Sequence, residues 1–317
     1  MAFVRTFVAR PPAVRDTMTL AVKHAHPRDA LISFDEATHA YFIFHKESNT
    51  YMKVCLSVSG LYKRFFDEFD SERVSLSVAK KRKNDKSSPY YWLLQSSDTD
   101  EQGALAIQAA WSKTGERAAS FGTKAHLHAE LSMNGALTES VETLPLPSRA
   151  ALSWIQKKTT LCGWEPFRTE YSIFIDMKNP NGMDDRLFKN QQFFLAGQID
   201  ALFRDTKTQE IHMADWKFCQ ADKLDKQSGS YGGRAPPSGK GPLSKVPDNS
   251  FGHYQTQQSL YAFMLKKRYD IRVASATLIH VPTDEEYPVA REILLDLLPD
   301  SVIEAMFQSY VEEIASM

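Results

Sequence analysis

The sequence has little cysteine, and this scarcity excludes several classes of protein. Its 317 residues include three cysteines, Cys55, Cys162 and Cys219, which are far apart and form no C-x-x-C pair. An odd number of scattered cysteines supports neither a disulfide framework nor a zinc ribbon. We therefore expect an intracellular, reducing compartment.

Long apolar runs and phosphate loops are missing as well. No apolar run reaches the roughly 18–20 residues that a membrane-spanning helix needs, so we expect no membrane partner. The chain contains no GxxxxGK[ST] motif, which argues against a nucleotide cofactor. The formal net charge of -1 excludes a basic surface over the whole protein but allows a local basic groove.

The chain does contain what a globular core requires, since 43% of its residues are hydrophobic. Residues 31–45 alternate apolar and polar side chains around an Asp-Glu pair, which predicts a β-hairpin. The segment that follows predicts a helix capped by Ser57 or Ser59. These elements form a β-hairpin and helical extension in front of the remaining chain.

Helical spacing of apolar residues recurs further along the chain. Gly115 and Gly122 predict a break in the first of these helices, and Asn134-Gly135 marks its end. Strands alternate with the helices, which predicts an α/β or α+β fold with a central mixed sheet flanked by helices. The predicted helices cover residues 102–133, 148–161 and 253–269, followed by a helix near the C-terminus.

Two segments differ from the rest in composition. Residues 1–28 contain Arg5, Arg10 and two further arginines, but no acid before Asp16. This segment is either a transit peptide, which would indicate a mitochondrion, or an untargeted flexible arm of a nuclear or cytoplasmic protein. Residues 29–317 are expected to form one domain with a mobile, Gly/Pro/Ser-rich insertion at residues 222–252.

A basic run, AKKRKNDKSSP, precedes the aromatic residues Tyr90, Tyr91 and Trp92. Such a run is in most proteins a solvated surface. The alternative interpretation is a flank that contacts phosphates, with the aromatic side chains stacking on bases.

The stretch LAGQIDALFRDTKTQEIHMADWKF, residues 195–218, predicts two strands joined by a polar turn. Side chains alternate with a period of two along a strand, so Asp215 and Lys217 project from one face of the second strand. Asp200 projects from the first strand. Charged groups gathered on one side of an apolar hairpin indicate a divalent cation among them, although an Asp–Lys pair that only stabilises the fold is the alternative.

The helix FGTKAHLHAELSMNG places His126 and Glu130 four residues apart on one face. Carboxylates combined with one imidazole favour Mg²⁺ or Mn²⁺, whereas a closed zinc site prefers thiolates or several imidazoles. A zinc site made of His126, His128 and Glu130 fails because residues two apart on a helix point about 200° apart. A histidine with only a structural role is the alternative for His126.

In chain order these motifs resemble those of the PD-(D/E)XK nuclease superfamily. The resemblance is closest to its RecB-like branch, which includes the mitochondrial genome maintenance exonucleases, and it spans residues 121–265. It implies a restriction-endonuclease-like core and a function on DNA in replication or repair. The motifs that carry the resemblance are Gly122-Thr123-x-x-His126-x-x-x-Glu130, Glu170, Gly197-x-x-Asp200, Asp215-Trp216-Lys217 and Gln257-x-x-x-Tyr261.

The resemblance also implies a role for each matching residue. The metal ligands would be His126, Asp200, Asp215 and the backbone carbonyl of Trp216. Lys217 would be the catalytic lysine, which orients or deprotonates the attacking water or stabilises negative charge, and Glu130 would support the metal shell. The residues that would position the substrate are Thr123, Glu170, Gln257 and Tyr261.

Two features found in some members of this branch are missing from the chain. Three scattered cysteines cannot build a four-cysteine iron–sulfur cluster, and without a phosphate loop no helicase motor is fused to the domain. We therefore expect a Mg²⁺- or Mn²⁺-dependent deoxyribonuclease, with an exonuclease acting on single-stranded or flap ends as the leading form. A structure-specific endonuclease and an inactive nucleic-acid-binding module are the alternatives.

Overall fold

The computed structural model describes residues 7–8, 19–45, 49–181, 193–221, 224 and 236–316. The chain divides into two compact units: unit 1 comprises Met1–Phe66 and Ala125–Met317, and unit 2 comprises Asp67–Lys124. The single domain that the sequence predicts over residues 29–317 stays a prediction. None of the described helices is long and apolar enough to cross a membrane.

The elements of the described residues follow in chain order. The strands are β1 (Phe7–Val8), β2 (Ile32–Asp35), β3 (Ala40–His45), β4 (Thr50–Lys53), β5 (Leu56–Ser57), β6 (Trp164–Asp176), β7 (Phe194–Asp205), β8 (Ile211–Cys219), β9 (Val273–Pro282) and β10 (Arg291–Leu295). The helices are α1 (Thr19–Lys23), α2 (Val58–Lys63), α3 (Ser71–Arg82), α4 (Tyr91–Gln95), α5 (Asp100–Met133), α6 (Leu146–Leu161), α7 (Ser250–Arg268) and α8 (Asp300–Ala315). Short 3-10 helices span Pro27–Leu31, Val141–Thr143 and Gly241–Leu243.

Unit 1 contains a six-stranded mixed sheet, which confirms the predicted α/β class. Its strands lie in the order β10–β9–β8–β7–β5, and β6 also pairs with β7. The pairs β5–β7 and β8–β9 are parallel, and the other pairs are antiparallel. Strand β7 therefore has three neighbouring strands, and β5 and β8 contact different parts of it.

Helices cover both faces of this sheet. On one face α2, α7 and α8 bury side chains such as Leu61 and Phe307. On the other face α1, α6 and the end of α5 form a second core that includes Trp154. The period-two alternation of β8 supplies both cores, because Met213 belongs to the first and Trp216 to the second.

The second sheet of unit 1 is antiparallel, with the strand order β1–β4–β3–β2. Strands β2 and β3 form the hairpin predicted at residues 31–45. In its turn the Asp35 carboxylate accepts hydrogen bonds from the backbone N–H of Ala37 at 3.1 Å and from the Thr38 hydroxyl at 2.6 Å. At the start of α2 the Ser57 hydroxyl accepts a bond from the Gly60 N–H at 3.1 Å, which confirms one of the two predicted caps.

Helix α5 continues without interruption through Gly115 and Gly122, so the predicted break is wrong. A Cβ atom added at either glycine would meet nothing within 4 Å. These glycines therefore do not mark the close approach of another chain segment. A glycine inside a helix costs about 1 kcal/mol relative to alanine, and a helix of 34 residues tolerates this cost.

The N-terminal segment differs from the predicted flexible arm over residues 1–28. Leu20 and Arg28 are both buried in unit 1. The Arg28 guanidinium donates a hydrogen bond to the carbonyl oxygen of Phe174 at 3.0 Å and lies 3.9 Å from the centre of the Phe174 ring. Residues 1–6 and 9–18 lie outside the described residues. From α1 onward the segment is part of the core.

The predicted mobile insertion, residues 222–252, is packed over its second part. Ser238 and Pro247 form a β-bridge, and Leu243 between them is fully buried. The Asn249 side chain caps α7 by accepting a hydrogen bond from the Gly252 N–H at 2.9 Å. Residues 222–223 and 225–235 lie outside the described residues.

At Gly197, helices α2 and α7 approach the six-stranded sheet closely. A Cβ atom at this position would lie 2.6 Å from Cε1 of Tyr261 in α7 and 2.9 Å from Cγ2 of Val58 in α2. Atoms in folded proteins do not come this close, so any side chain at position 197 would push both helices away from β7. Glycine is required here for space, not for backbone conformation.

We expect Gly197→Ala to lower the free energy of unfolding by about 1–3 kcal/mol, because it overpacks the contact between sheet and helices. Urea denaturation measures this change. Gly122→Ala is the matched control, since its new methyl group meets no neighbour and alanine favours the helix by up to about 1 kcal/mol. Equal effects of the two substitutions would contradict the steric explanation.

Candidate metal and catalytic site

The candidate site lies where strands β7 and β8 separate. Their antiparallel ladder ends at the pair Ala201–Ala214, after which β7 pairs with β5 while β8 continues beside β9. We call this point the fork. The Asp200 carboxylate crosses it, because its Oδ2 accepts a hydrogen bond from the backbone N–H of Trp216 at 2.8 Å. The Asp200 carboxylate thus accepts the hydrogen bond that a backbone carbonyl of a paired strand would otherwise accept.

Glu170 reaches the same place from β6. Strand β6 pairs with β7 on both sides of Glu170, so Glu170 lies beside Asp200. The φ angle of Glu170 is 43°, in the left-handed region that is strained for residues other than glycine. Its carbonyl oxygen accepts a hydrogen bond from the Gln198 side chain at 3.1 Å. This irregular backbone brings a second carboxylate to the fork.

Helix α5 contributes His126. Its Nδ1 lies 3.5 Å from Oδ2 of Asp200 and 3.7 Å from Oε1 of Glu170. One ligand atom from each of these three side chains lies within 4.8 Å of the other two. We call His126, Glu170 and Asp200 the ligand cluster. It joins two of the predicted metal ligands with Glu170, for which the sequence predicted only a substrate-positioning role.

The charges in the ligand cluster depend on one another. Burial disfavours protonation of His126, but the Asp200 and Glu170 carboxylates outweigh this effect and raise the pKa of His126 to about 9. Burial raises the pKa of Asp200, and Glu170 adds to the rise. A divalent cation in place of the imidazolium proton would offset more of this negative charge. The His126 side chain is 29% exposed, so the cluster is not closed to solvent.

A buried ion pair lies next to the cluster on β8. Lys217 pairs with Oδ2 of Asp215, while Oδ1 of Asp215 accepts a hydrogen bond from the Gln258 amide at 2.9 Å. Burial raises the pKa of Asp215 to about 6, although Lys217 opposes this rise. Burial would lower the pKa of Lys217, but Asp215 and Asp200 raise it above its usual value, so Lys217 is a cation.

Asp215 therefore lies outside the ligand cluster, with both carboxylate oxygens bound by protein donors. Its predicted role as a metal ligand stays a prediction. The common face of Asp215 and Lys217, expected from strand alternation, is present: the two side chains form the ion pair. The structural role that the sequence left open for this pair is compatible with the same contact.

Helix α7 presents Tyr254, Gln258 and Tyr261 to the fork. Lys217 Nζ lies 4.4 Å from the centre of the Tyr254 ring, and Tyr261 packs against Gly197. Gln258 is the glutamine that binds Asp215, and Gln257 accepts a hydrogen bond from Gln258 at 3.4 Å. The substrate-positioning role that the resemblance implies for Gln257 stays a prediction. Residues 254, 258 and 261 follow the i, i+4, i+7 spacing of one helical face, a signal available in the sequence.

The other predicted site residues lie outside the ligand cluster. Glu130 is buried one helical turn after His126. The exposed hydroxyl of Thr123, in unit 2, donates a hydrogen bond to a carbonyl of its own helix at 3.0 Å. Trp216 contributes its backbone N–H to Asp200, whereas the predicted ligand was its carbonyl oxygen. Their predicted roles stay predictions.

The donor set of the ligand cluster fits a hard divalent cation. Mg²⁺ and Mn²⁺ prefer carboxylate oxygens and accept an imidazole, and at metal–ligand distances of about 2.1 Å neighbouring donors lie roughly 3–4 Å apart. The distances of 3.5 and 3.7 Å from His126 to the two acids agree with this spacing. His128 lies outside the ligand cluster, and its Nδ1 forms a hydrogen bond with the Ser148 hydroxyl at 2.9 Å.

Comparison with protein families and curated sequences assigns no family to this chain. No protein-family model matches the chain, and no curated protein sequence matches it. The functional interpretation therefore depends on the residues at the fork.

We expect saturating MnCl2 to raise the melting temperature of the native chain, and Asp200→Asn and Glu170→Gln each to abolish this rise. Each change removes one anionic ligand with little change in volume. A ligand at 100 times its Kd stabilises the folded state by about 2.7 kcal/mol, which thermal unfolding with Mn²⁺ and with EDTA detects.

Glu165→Gln is the matched control for Glu170→Gln. Glu165 lies on the same strand, but its carboxylate pairs with Arg204. This variant should keep the full response to Mn²⁺. If Glu165→Gln and Glu170→Gln respond equally to the ion, the ligand cluster is refuted.

Proposed function

We propose that the protein is a metal-dependent nuclease that hydrolyses phosphodiester bonds in DNA. One observation carries this proposal: His126, Glu170 and Asp200 converge within 4.8 Å beside the buried ion pair of Asp215 and Lys217. A cation site next to a fixed ammonium group suits hydrolysis of a phosphodiester, which is itself an anion and gains charge in the transition state.

The order of elements around the fork supports a restriction-endonuclease-like core. Helix α5 is followed by α6, by the antiparallel strands β6, β7 and β8, and then by α7 and β9. Each motif of the PD-(D/E)XK resemblance falls on one of these elements. We propose this fold family for unit 1 on that basis.

The residues at the fork would have separate roles in hydrolysis. His126, Glu170 and Asp200 would hold Mg²⁺ or Mn²⁺, and such an ion supplies a Lewis acid for phosphate oxygens and lowers the pKa of a coordinated water. Asp200 is kept from rotating by the N–H of Trp216. Lys217, held by Asp215, keeps a positive charge beside the cluster, where it can offset developing negative charge.

An exonuclease acting on single-stranded or flap DNA ends is the leading form of this function. A structure-specific endonuclease would use the same groups, because chain ends play no part in the chemistry at the fork. The complete set of His126, Asp200, Asp215 and Lys217 argues against the third alternative, an inactive nucleic-acid-binding module.

We expect Lys217→Met to lower the rate of DNA cleavage at least about 100-fold, since it removes a cation that stabilises the transition state. The variant should keep the melting-temperature response to Mn²⁺, because Lys217 is not a metal ligand. Lys158→Met is the matched control: Lys158 is also buried and pairs with one carboxylate, that of Glu292 at 2.9 Å. Cleavage by Lys217→Met at the rate of the control variant would exclude the catalytic role.

The substrate class is tested with end-labelled linear single strands, duplexes and flaps, and with circular single strands, each with Mg²⁺, Mn²⁺ or EDTA. We expect digestion of the linear and flap substrates from their ends, no cleavage of circles and no activity in EDTA. Rapid cleavage of circles would replace the exonuclease by an endonuclease. Cleavage that persists in EDTA would refute the metal-dependent mechanism.

A further inference from the structure

Unit 2 carries an exposed pair of aromatic rings that the site at the fork does not use. Trp92 in α4 is 78% exposed, and the ring of Tyr91 lies edge-on to it at 5.1 Å. A buried tryptophan removes 150–250 Å² from water, so an exposed one forgoes a large stabilisation. The exposed ring is accessible to a ligand.

The fold of unit 2 holds Trp92 in this exposed position. Leu94 is buried in the core of the unit, and Trp111 donates a hydrogen bond to the Tyr90 hydroxyl at 2.7 Å. Residues 92 and 94 point about 200° apart on a helix, so burial of Leu94 turns Trp92 outward. The contacts of Tyr90 and Leu94 hold both ends of α4 in place, so the Trp92 ring projects from a well-packed helix.

Positive charge is concentrated at the end of α3, which contacts α4. The Gln95 amide donates a hydrogen bond to the carbonyl oxygen of Lys83 at 2.6 Å, which joins α4 to the end of α3. Arg82 pairs with Asp85, and in the described part of the chain no acid forms an ion pair with Lys80, Lys81, Lys83 or Lys86. One or two cations suffice to complement a helix C-terminus, so the remaining charge is available to an anionic partner.

We propose that Tyr91, Trp92 and the lysines at positions 80, 81, 83 and 86 form a binding surface for single-stranded nucleic acid. A base stacks on Trp92 and the lysines contact the phosphates, the two interactions by which proteins hold single strands without reading their sequence. The inference rests on the proposed function, because a nuclease for single-stranded ends must hold such a strand.

A single-stranded partner fits this surface better than an anionic membrane does. Helix α4 has five residues, and its inner face is occupied by the buried Leu94. It therefore offers no broad apolar face of the kind that inserts into a lipid interface. Base stacking, in contrast, needs one accessible ring with cations beside it.

The binding test uses the full chain and a fluorescein-labelled oligo(dT) single strand, with anisotropy measured in EDTA so that metal-dependent cleavage is off. Trp92→Ala should weaken binding about 5- to 150-fold, the range of one base–aromatic stack. Trp92→Phe should recover most of the affinity, because phenylalanine also offers a ring face. Tyr287→Ala, which removes a 75% exposed ring in unit 1, is the control and should bind as the native chain does.

The lysines are tested through the dependence of affinity on salt. Replacing Lys80, Lys81 and Lys83 together by glutamine should reduce the slope of log K against log salt by about 2, since each phosphate contact on a single strand contributes about 0.7. Replacing the exposed Lys113 and Lys124 by glutamine is the control and should leave the slope unchanged.

Unchanged oligonucleotide affinity in Trp92→Ala would overturn the proposal. Binding of phosphatidylserine vesicles through Trp92, without binding of the oligonucleotide, would also overturn it and identify a membrane surface. A fall in melting temperature that accompanies lost binding in Trp92→Ala and Trp92→Phe alike would assign Trp92 a structural role instead.

The two proposals fail in different experiments. Oligonucleotide binding is measured without metal and needs no cleavage, so its loss or retention does not depend on Lys217. Cleavage that survives Lys217→Met would end the nuclease proposal and leave the binding result standing. Cleavage that depends on Lys217, together with unchanged binding in Trp92→Ala, would end only this inference.

Discussion

The hydrogen bond from the Trp216 N–H to the Asp200 carboxylate is the interaction on which the site depends. When β8 leaves β7, a backbone donor inside the protein loses its ladder partner, and a buried donor without an acceptor costs about 1–3 kcal/mol. Asp200 supplies that acceptor at 2.8 Å. The same Oδ2 atom lies 3.5 Å from His126, so the atom that closes the fork also belongs to the ligand cluster.

Because Asp200 both accepts this hydrogen bond and belongs to the ligand cluster, negative charge collects at a partly buried site and must be offset by positive charge. Glu170 and Asp200 bring two acids together, and burial raises the pKa of Asp200. His126 and Lys217 offset the charge from two sides: the imidazole is partly open to solvent, and the ammonium is enclosed between Asp215 and the Tyr254 ring. The strained φ angle of Glu170 belongs with these costs, since strained backbone is concentrated at functional sites.

Local periodicity predicted much of this arrangement. Strand alternation gave the common face of Asp215 and Lys217, and apolar spacing gave the helix that carries His126. The contacts of α7 escaped prediction: Tyr261 packs against Gly197, a residue distant in sequence, and Gln258 donates a hydrogen bond to Asp215. Short-range patterns do not record such contacts.

Predictions from composition were wrong where a partner distant in sequence allows a residue to be buried. The N-terminal segment is basic, yet Arg28 is buried because the carbonyl and the ring of Phe174 receive its guanidinium. The second part of the Gly/Pro/Ser-rich insertion is packed because Leu243 enters the core. In α5, Gly115 and Gly122 suggested a break, but the helix propensity of the flanking residues outweighs the cost of the two glycines.

The contact between Gly197 and Tyr261 has an evolutionary consequence. The tyrosine ring fills the space that a Cβ atom would need, so neither position can change freely while the other stays as it is. A lineage that acquires a side chain at position 197 must also lose volume at position 261 of α7 and at position 58 of α2. Among descendants of this chain, substitutions at these positions should therefore occur together.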